Sequence, residues 1–78
     1  MTKQQEMKSK LEQIGLPYKE VECYGSQIVV TAHSVESANK WAMILSRFAK
    51  VRRAALESLE QTVERKYVKV WRTYAVIE

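Results

Sequence analysis

Only three residues in this chain interrupt regular secondary structure, and all of them lie in its first third. They are Gly15, Pro17 and Gly25, so no glycine or proline occurs from Ser26 to the end of the 78-residue sequence. In that long stretch, only the spacing of apolar residues shows where one element ends and the next begins. Because 46% of the residues are hydrophobic, we expect residues 1–78 to form one folded domain rather than a linker.

The N-terminal segment has the pattern of an amphipathic helix. Thr2 and Gln5 are spaced as in a capping box, and apolar residues then recur every three or four positions. Gly15 suits the left-handed residue that often follows a helix, and Pro17 prevents the helix from continuing. The sequence therefore predicts a helix over residues 3–14.

Residues 18–24 and 27–33 predict a β-hairpin. Both runs are rich in β-branched and aromatic residues, and the Gly25-Ser26 pair between them suits a two-residue turn. Such a turn pairs Cys23 with Ile28, and we expect that pair to face the core. The opposite face then carries the mostly polar residues Tyr18, Glu20, Glu22, Tyr24, Gln27, Val29, Thr31 and His33.

A second helix is predicted after the hairpin. Ser34 is a favourable N-cap, and the apolar residues that follow cover one half of a helical wheel up to about residue 49. We expect this helix to lie across the inner face of the hairpin, with Trp41 and Phe48 in the core.

The last third of the chain leaves two alternatives. Residues 51–65 are mostly helix formers with an apolar stripe at four-residue spacing, which predicts a further helix; alternatively, part of this segment is a strand. Residues 67–77 alternate as in a long strand with two apolar sides. The predicted fold class is α+β in the order α-β-β-α-α-β, with a three-stranded antiparallel sheet packed against helices. The alternative order is αββαββ.

Several kinds of chemistry have no basis in this sequence. His33 and Cys23 are the only residues of their types, and a zinc site needs three or four ligands. The two glycines form no phosphate-binding loop. Glu20 and Glu22 share a strand face, which is typical of a solubilising edge rather than of an acid/base pair. We therefore expect no metal, no cofactor and no enzymatic activity.

The sequence also suggests a compartment. The N-terminal residues include no apolar signal region, and no run of 18 apolar residues occurs. The single cysteine, Cys23, fits a reduced and buried thiol. We expect a cytoplasmic protein that does not interact with membranes.

The net charge of +4 is concentrated in the middle of the chain. Residues 1–33 and residues 57–78 each carry as many cations as glutamates, so the excess lies within residues 34–56. An outward-facing cluster of this kind predicts an anionic partner, which we expect to be an acidic surface of a protein or nucleoprotein complex. The predicted partner-binding residues are Lys40, Met43, Arg47, Lys50, Arg52 and Arg53, with Tyr67 and Trp71 as aromatic anchors.

A nucleic acid is the alternative partner for the same cations. Against it, Glu20 and Glu22 share a sheet face with the aromatics and would repel phosphates, which favours a protein-binding surface. The predicted function is thus a non-enzymatic binding module that occupies a surface of a larger assembly. A homodimer is a further expectation.

In its small size and lack of motifs, the chain resembles the accessory proteins that bacteriophages encode, including inhibitors of host machinery and anti-CRISPR proteins. That resemblance covers no defined stretch and assigns no site. It implies an inhibitor that acts by covering a surface of its partner.

Overall fold

The chain folds in the order α-β-β-α-β-β. The computed structural model describes residues 3–77, and side chains from Gln5 onward. The elements are α1 Lys3–Glu12, β1 Glu20–Tyr24, β2 Gln27–Ala32, α2 Val35–Leu45, β3 Lys50–Gln61 and β4 Tyr67–Val76. Thr2, the predicted cap of α1, lies outside the described residues. In the described part, neither helix is of a length and apolar character that could cross a bilayer.

The predicted third helical segment and the three-stranded sheet are wrong. Most of residues 51–65 belongs to β3, which forms an antiparallel hairpin with β4. The α+β class is confirmed, but the sheet has four antiparallel strands in the order β1-β2-β4-β3. The alternative order, αββαββ, is therefore the observed one. Helix preferences of a few tenths of a kcal/mol per residue are outweighed here by pairing with β4, the other strand of this hairpin.

The first hairpin has the predicted register. Cys23 pairs with Ile28 and Glu22 with Val29, and Gly25 adopts a φ of 59° in the turn. Helix α2 begins after Ser34, whose hydroxyl oxygen accepts a hydrogen bond from the Ser37 N–H at 3.2 Å. This helix ends at Leu45 rather than near residue 49, so Phe48 is 43% exposed and the expectation that it lies in the core is wrong.

Both helices pack on one face of the sheet and enclose the core. Trp41 of α2 is completely buried, and its indole Nε1 donates a hydrogen bond to the carbonyl oxygen of Pro17 at 3.0 Å. This bond satisfies the only polar atom of the largest core side chain. The buried cluster comprises Leu11, Val21, Ile28, Val30, Trp41, Leu45 and Ala75.

We call the opposite side of the sheet, which neither helix covers, the open face. Strand register arranges its side chains in three rows, each of which crosses β1, β2, β4 and β3 in that order. The first row is Tyr24, Gln27, Val76 and Lys50; the second is Glu22, Val29, Tyr74 and Arg53; the third is Glu20, Thr31, Arg72 and Leu56.

One end of the open face is closed by an ion-pair network. Glu60 of β3 forms salt bridges with Lys19, which precedes β1, and with Arg72 of β4 at 3.3 Å. Because β1 and β3 are the outer strands and would be about 14 Å apart in a flat sheet, the Lys19 contact requires the sheet to curl toward this face. Thr31 and Val70 are buried at this end.

Candidate docking surface

The five cations of residues 34–56 all have exposed side chains. They divide between α2 with its following turn, which carries Lys40 and Arg47, and the first half of β3. We call these five residues, together with Met43, the basic surface. The members of the β3 group are Lys50, Arg52 and Arg53.

The α2 part of the basic surface is a short ridge. Lys40, Met43 and Arg47 are three and four residues apart, so they project from the same side of the helix and of the turn that continues it. The two cations are about 10 Å apart along the axis, given the rise per residue of a helix. Met43 lies between them and is 71% exposed, which places apolar contact area inside the charged ridge.

The β3 part of the basic surface is formed by an irregular edge strand. The register with β4 shifts between Val51 and Arg53 and again between Arg53 and Leu56, and Ala55 adopts a φ of 52°. The Ala55 N–H donates a hydrogen bond to the Thr73 hydroxyl at 3.2 Å. That hydroxyl donates in turn to the Ala38 carbonyl at 3.0 Å, which ties the irregular strand to β4 and α2. The arginines therefore project from a backbone that is anchored on its inner side.

The cations of the basic surface have no acidic partner within the described part of the fold. In the described residues, none of the five makes an ion pair, and Glu36, the one acid of this segment, stands at the start of α2. Elsewhere, Glu60 pairs with Lys19 and Arg72, and two further salt bridges join Lys69 to Glu57 and Lys66 to Glu64. Lys8, Lys10 and Arg65 also make no ion pair in the described residues, so the basic surface is distinguished by the number of exposed cations within a short segment that has no acid among them.

The two predicted aromatic anchors do not lie on the open face. Trp71 pairs with Ala32 on the side of the sheet that the helices cover, so the expectation that it shares a face with Glu20 and Glu22 is wrong. Trp71 pairs with Glu57, and Tyr67 pairs with Gln61 near the turn of the β3-β4 hairpin. Lys50 pairs with Val76 at the other end of the same hairpin. Tyr67 and Val76 are nine positions apart on β4, or about 30 Å in an extended strand, so this tyrosine does not adjoin Lys50.

Two shallow depressions, both open to solvent, border the basic surface. One has a volume of about 510 Å³ and is lined by Ser46, Arg47, Phe48, Ala49 and Lys50. The other, of about 320 Å³ on the open face, is lined by Gln27, Arg52, Arg53, Leu56 and Tyr74. The sequence predicts neither Phe48 nor Tyr74 in this region, because it predicts that Phe48 lies in the core and the pairing of Tyr74 with β3 has no local signal in the sequence.

His33, Cys23 and the neighbouring glutamates Glu20 and Glu22 lie outside the basic surface. Within residues 3–77, no group of three histidine, cysteine or acidic side chains is arranged to hold a metal ion. Burial raises the pKa of the Cys23 thiol, which keeps it in the unreactive protonated form. A hydrogen bond between the carboxyl groups of Glu22 and Glu20 raises the pKa of Glu22 above its ordinary value of 4.5.

The comparisons with known proteins do not place the chain in a family. No protein-family model matches it, and neither a curated protein nor a solved structure does so.

Proposed function

We propose that this chain is a non-enzymatic binding module that docks on an acidic protein surface through its basic surface. The observation that supports the proposal is the clustering of exposed charge: residues 40–53 hold five exposed cations and no acid, and none of the five makes an ion pair in the described residues. Clustered like charges repel one another and destabilise a fold slightly, and an anionic partner reverses the sign of that contribution.

The side chains among the cations favour a protein over a nucleic acid as the partner. Met43 is 71% exposed between Lys40 and Arg47, and Phe48 is 43% exposed beside Arg47. Methionine, aromatic residues and arginine are enriched in protein interfaces, where apolar contact supplies affinity and charge supplies orientation. A phosphate backbone gains little from exposed apolar groups of this kind. Occlusion of a partner's functional surface, as an inhibitor would achieve, is the mode of action we propose.

Charge reversal on α2 and its following turn tests this proposal. We expect Lys40→Glu combined with Arg47→Glu to abolish capture of a specific protein from a cell extract, and to weaken binding to that protein once it has been purified. Two lost attractive contacts of about 1 kcal/mol each would reduce affinity by about 30-fold. Both side chains are exposed, so the melting temperature should change by only a few degrees.

The matched control is Lys10→Glu combined with Lys66→Glu, which changes the net charge equally at exposed positions outside the basic surface. This control should retain binding. Equal loss in both double variants would indicate a general effect of net charge and contradict the proposal. Two results together would instead establish a nucleic acid as the partner: loss of binding after nuclease treatment, and direct, salt-resistant binding of labelled DNA or RNA.

A further inference from the structure

We propose that two copies of this chain associate through their open faces as a two-fold symmetric dimer. This inference goes beyond the proposed function because it concerns a second copy of the chain, and Lys50 and Arg53 belong both to the open face and to the basic surface. In this dimer the β1 edge of each copy lies opposite the β3 edge of the other.

The distribution of charge across the open face carries the inference. In the second row, Glu22 stands at the β1 edge, Val29 and Tyr74 occupy the two central strands, and Arg53 stands at the β3 edge. Lys50 and Glu20 extend the same polarity into the neighbouring rows. The second row is therefore acidic at one end, apolar in the middle and basic at the other end, whereas in the third row Arg72 lies on a central strand.

Such a face is complementary to itself in one orientation. A two-fold axis parallel to the strands turns the second copy so that its β3 lies over β1 of the first, at the same height along the strands. Glu22 then faces Arg53 of the second copy, and Val29 faces Tyr74. The symmetry repeats both contacts, so one interface contains two opposite-charge pairs. An axis across the strands would place Glu22 near Glu22, and repulsion excludes that arrangement.

The positions of Tyr24 and of one depression fit this orientation. Tyr24 is 60% exposed at the β1 edge, and the depression of about 320 Å³ beside Arg53 and Tyr74 lies toward the β3 edge. In the two-fold dimer, the Tyr24 ring of each copy lies near the depression beside Arg53 and Tyr74 of the other copy. Hydrogen bonding with Glu20 raises the pKa of Glu22, while Lys8 and Arg72 of the same chain act in the opposite direction, so a cation facing from the second copy adds to an attraction that the chain already supplies.

The alternative occupants fit this face less well. A nucleic acid would meet Glu20 and Glu22, and a uniformly acidic or basic protein would be repelled by one side of the face. Pairing of two copies edge to edge along β3 is disfavoured because bulges and exposed arginines interrupt the first half of that strand. The network of Lys19, Glu60 and Arg72 closes one end of the face, so the contact is small and the dimer should be weak.

Sedimentation at low salt tests the dimer. Between about 10 µM and about 1 mM, the range in which a small interface associates, the mass should rise from the monomer value of 9.1 kDa toward twice that value. Glu22→Arg alone and Arg53→Glu alone should each weaken association by about tenfold or more, since each places like charges opposite one another.

Mixing the two variants provides the decisive measurement. In the mixed dimer, the new arginine faces the new glutamate and the native Arg53 faces the native Glu22, so an equimolar mixture should associate as the unaltered chain does. The double variant Glu22→Arg with Arg53→Glu should also dimerise. Circular dichroism and melting temperatures establish that each variant is folded.

Three results would overturn the dimer: a monomer throughout the concentration range, single variants that associate normally, or a mixture that stays monomeric. Assemblies larger than a dimer would indicate an open head-to-tail chain and would contradict it as well. The pair Lys40→Glu with Arg47→Glu should leave dimerisation intact, because neither side chain belongs to the open face. Failure of the dimer and failure of the proposed docking are therefore distinguishable.

Discussion

At the scale of single residues, the backbone of Ala55 is held in an unfavourable conformation. Its φ of 52° lies in the left-handed region, which costs an L-residue about 1–2 kcal/mol relative to glycine. Glycine at this position removes that cost. It also increases the conformational entropy of the unfolded chain, which offsets about 0.5–1 kcal/mol of the gain in stability. We expect Ala55→Gly to raise the free energy of unfolding by about 0.5 kcal/mol in urea titrations.

Ala54 provides the control for that measurement. It precedes Ala55 in the same exposed part of β3 and does not have a positive φ. Ala54→Gly should therefore lower the free energy of unfolding by about 0.5–1 kcal/mol. Equal effects of the two substitutions would contradict the conformation of Ala55 described here.

The carboxylate of Glu60 contributes stability that depends on pH. Its hydrogen bond with Lys19, with the nearby Arg72 guanidinium in addition, lowers the pKa of Glu60 below its ordinary value of 4.5. The contribution is therefore complete above pH 4.5 and is lost as the pH falls through the lowered value. Glu60→Gln should cost about 1 kcal/mol at pH 7, with a difference from the unaltered chain that shrinks at low pH. A constant difference from pH 7 to pH 2 would contradict this role.

Glu22 should show the opposite dependence. Because its pKa is raised in the folded chain by hydrogen bonding with Glu20, the folded state binds a proton more readily than the unfolded state. Protonation of Glu22 thus stabilises the fold as the pH falls through the raised pKa, and the ionised form is unfavourable above it. In dilute monomer, Glu22→Gln should raise the melting temperature at pH 7 and have little effect at pH 3. A lower melting temperature at pH 7 would indicate that the glutamate has a favourable partner.

At the scale of elements, local patterns were sufficient for the first half of the sheet and misleading for β3. The register of the first hairpin follows from a two-residue turn and strict alternation, both of which are visible within fifteen residues. In β3, the stripe from Val51 to Val63 and the many helix formers indicate a helix, while two register shifts disturb the alternation that would indicate a strand. The stabilising partner of this strand is β4, and no local pattern shows such a pairing.

The hydroxyl of Thr73 connects three elements and allows that connection to be measured. It accepts a hydrogen bond from Ala55 of β3 and donates one to Ala38 of α2, and it is completely buried. Thr73→Val would leave a backbone N–H and a carbonyl without this partner, which should cost about 1–3 kcal/mol. In Thr31, which is 4% exposed on the open face, the hydroxyl makes no such connection within the described residues. Thr31→Val should therefore change stability by less than about 0.5 kcal/mol.

At the scale of the whole molecule, the sequence predicts the distribution of charge but not its pairing. Counting cations and acids along the sequence is enough to identify segment 34–56, in which cations are in excess. The partner of each cation depends on the fold: Lys19 and Glu60 are 41 positions apart and meet because the sheet curls. The separation of Tyr67 from the basic surface likewise follows from the length of the β3-β4 hairpin, which sequence analysis had left open.

Unpaired cations should make the stability of this molecule rise with ionic strength. Sodium chloride at about 0.3 M screens the exposed cations from one another, whereas the partly buried Glu60 network is screened less. Removing a few tenths of a kcal/mol of repulsion should raise the melting temperature of dilute monomer by about 1–3 °C. Lys40→Glu with Arg47→Glu lowers the net charge by four, from +4 to zero, so that variant should melt higher at low salt and lack the increase. A parallel fall in both proteins would mean that attractive pairs dominate the surface, and the basic surface would then have no surplus charge to offer a partner.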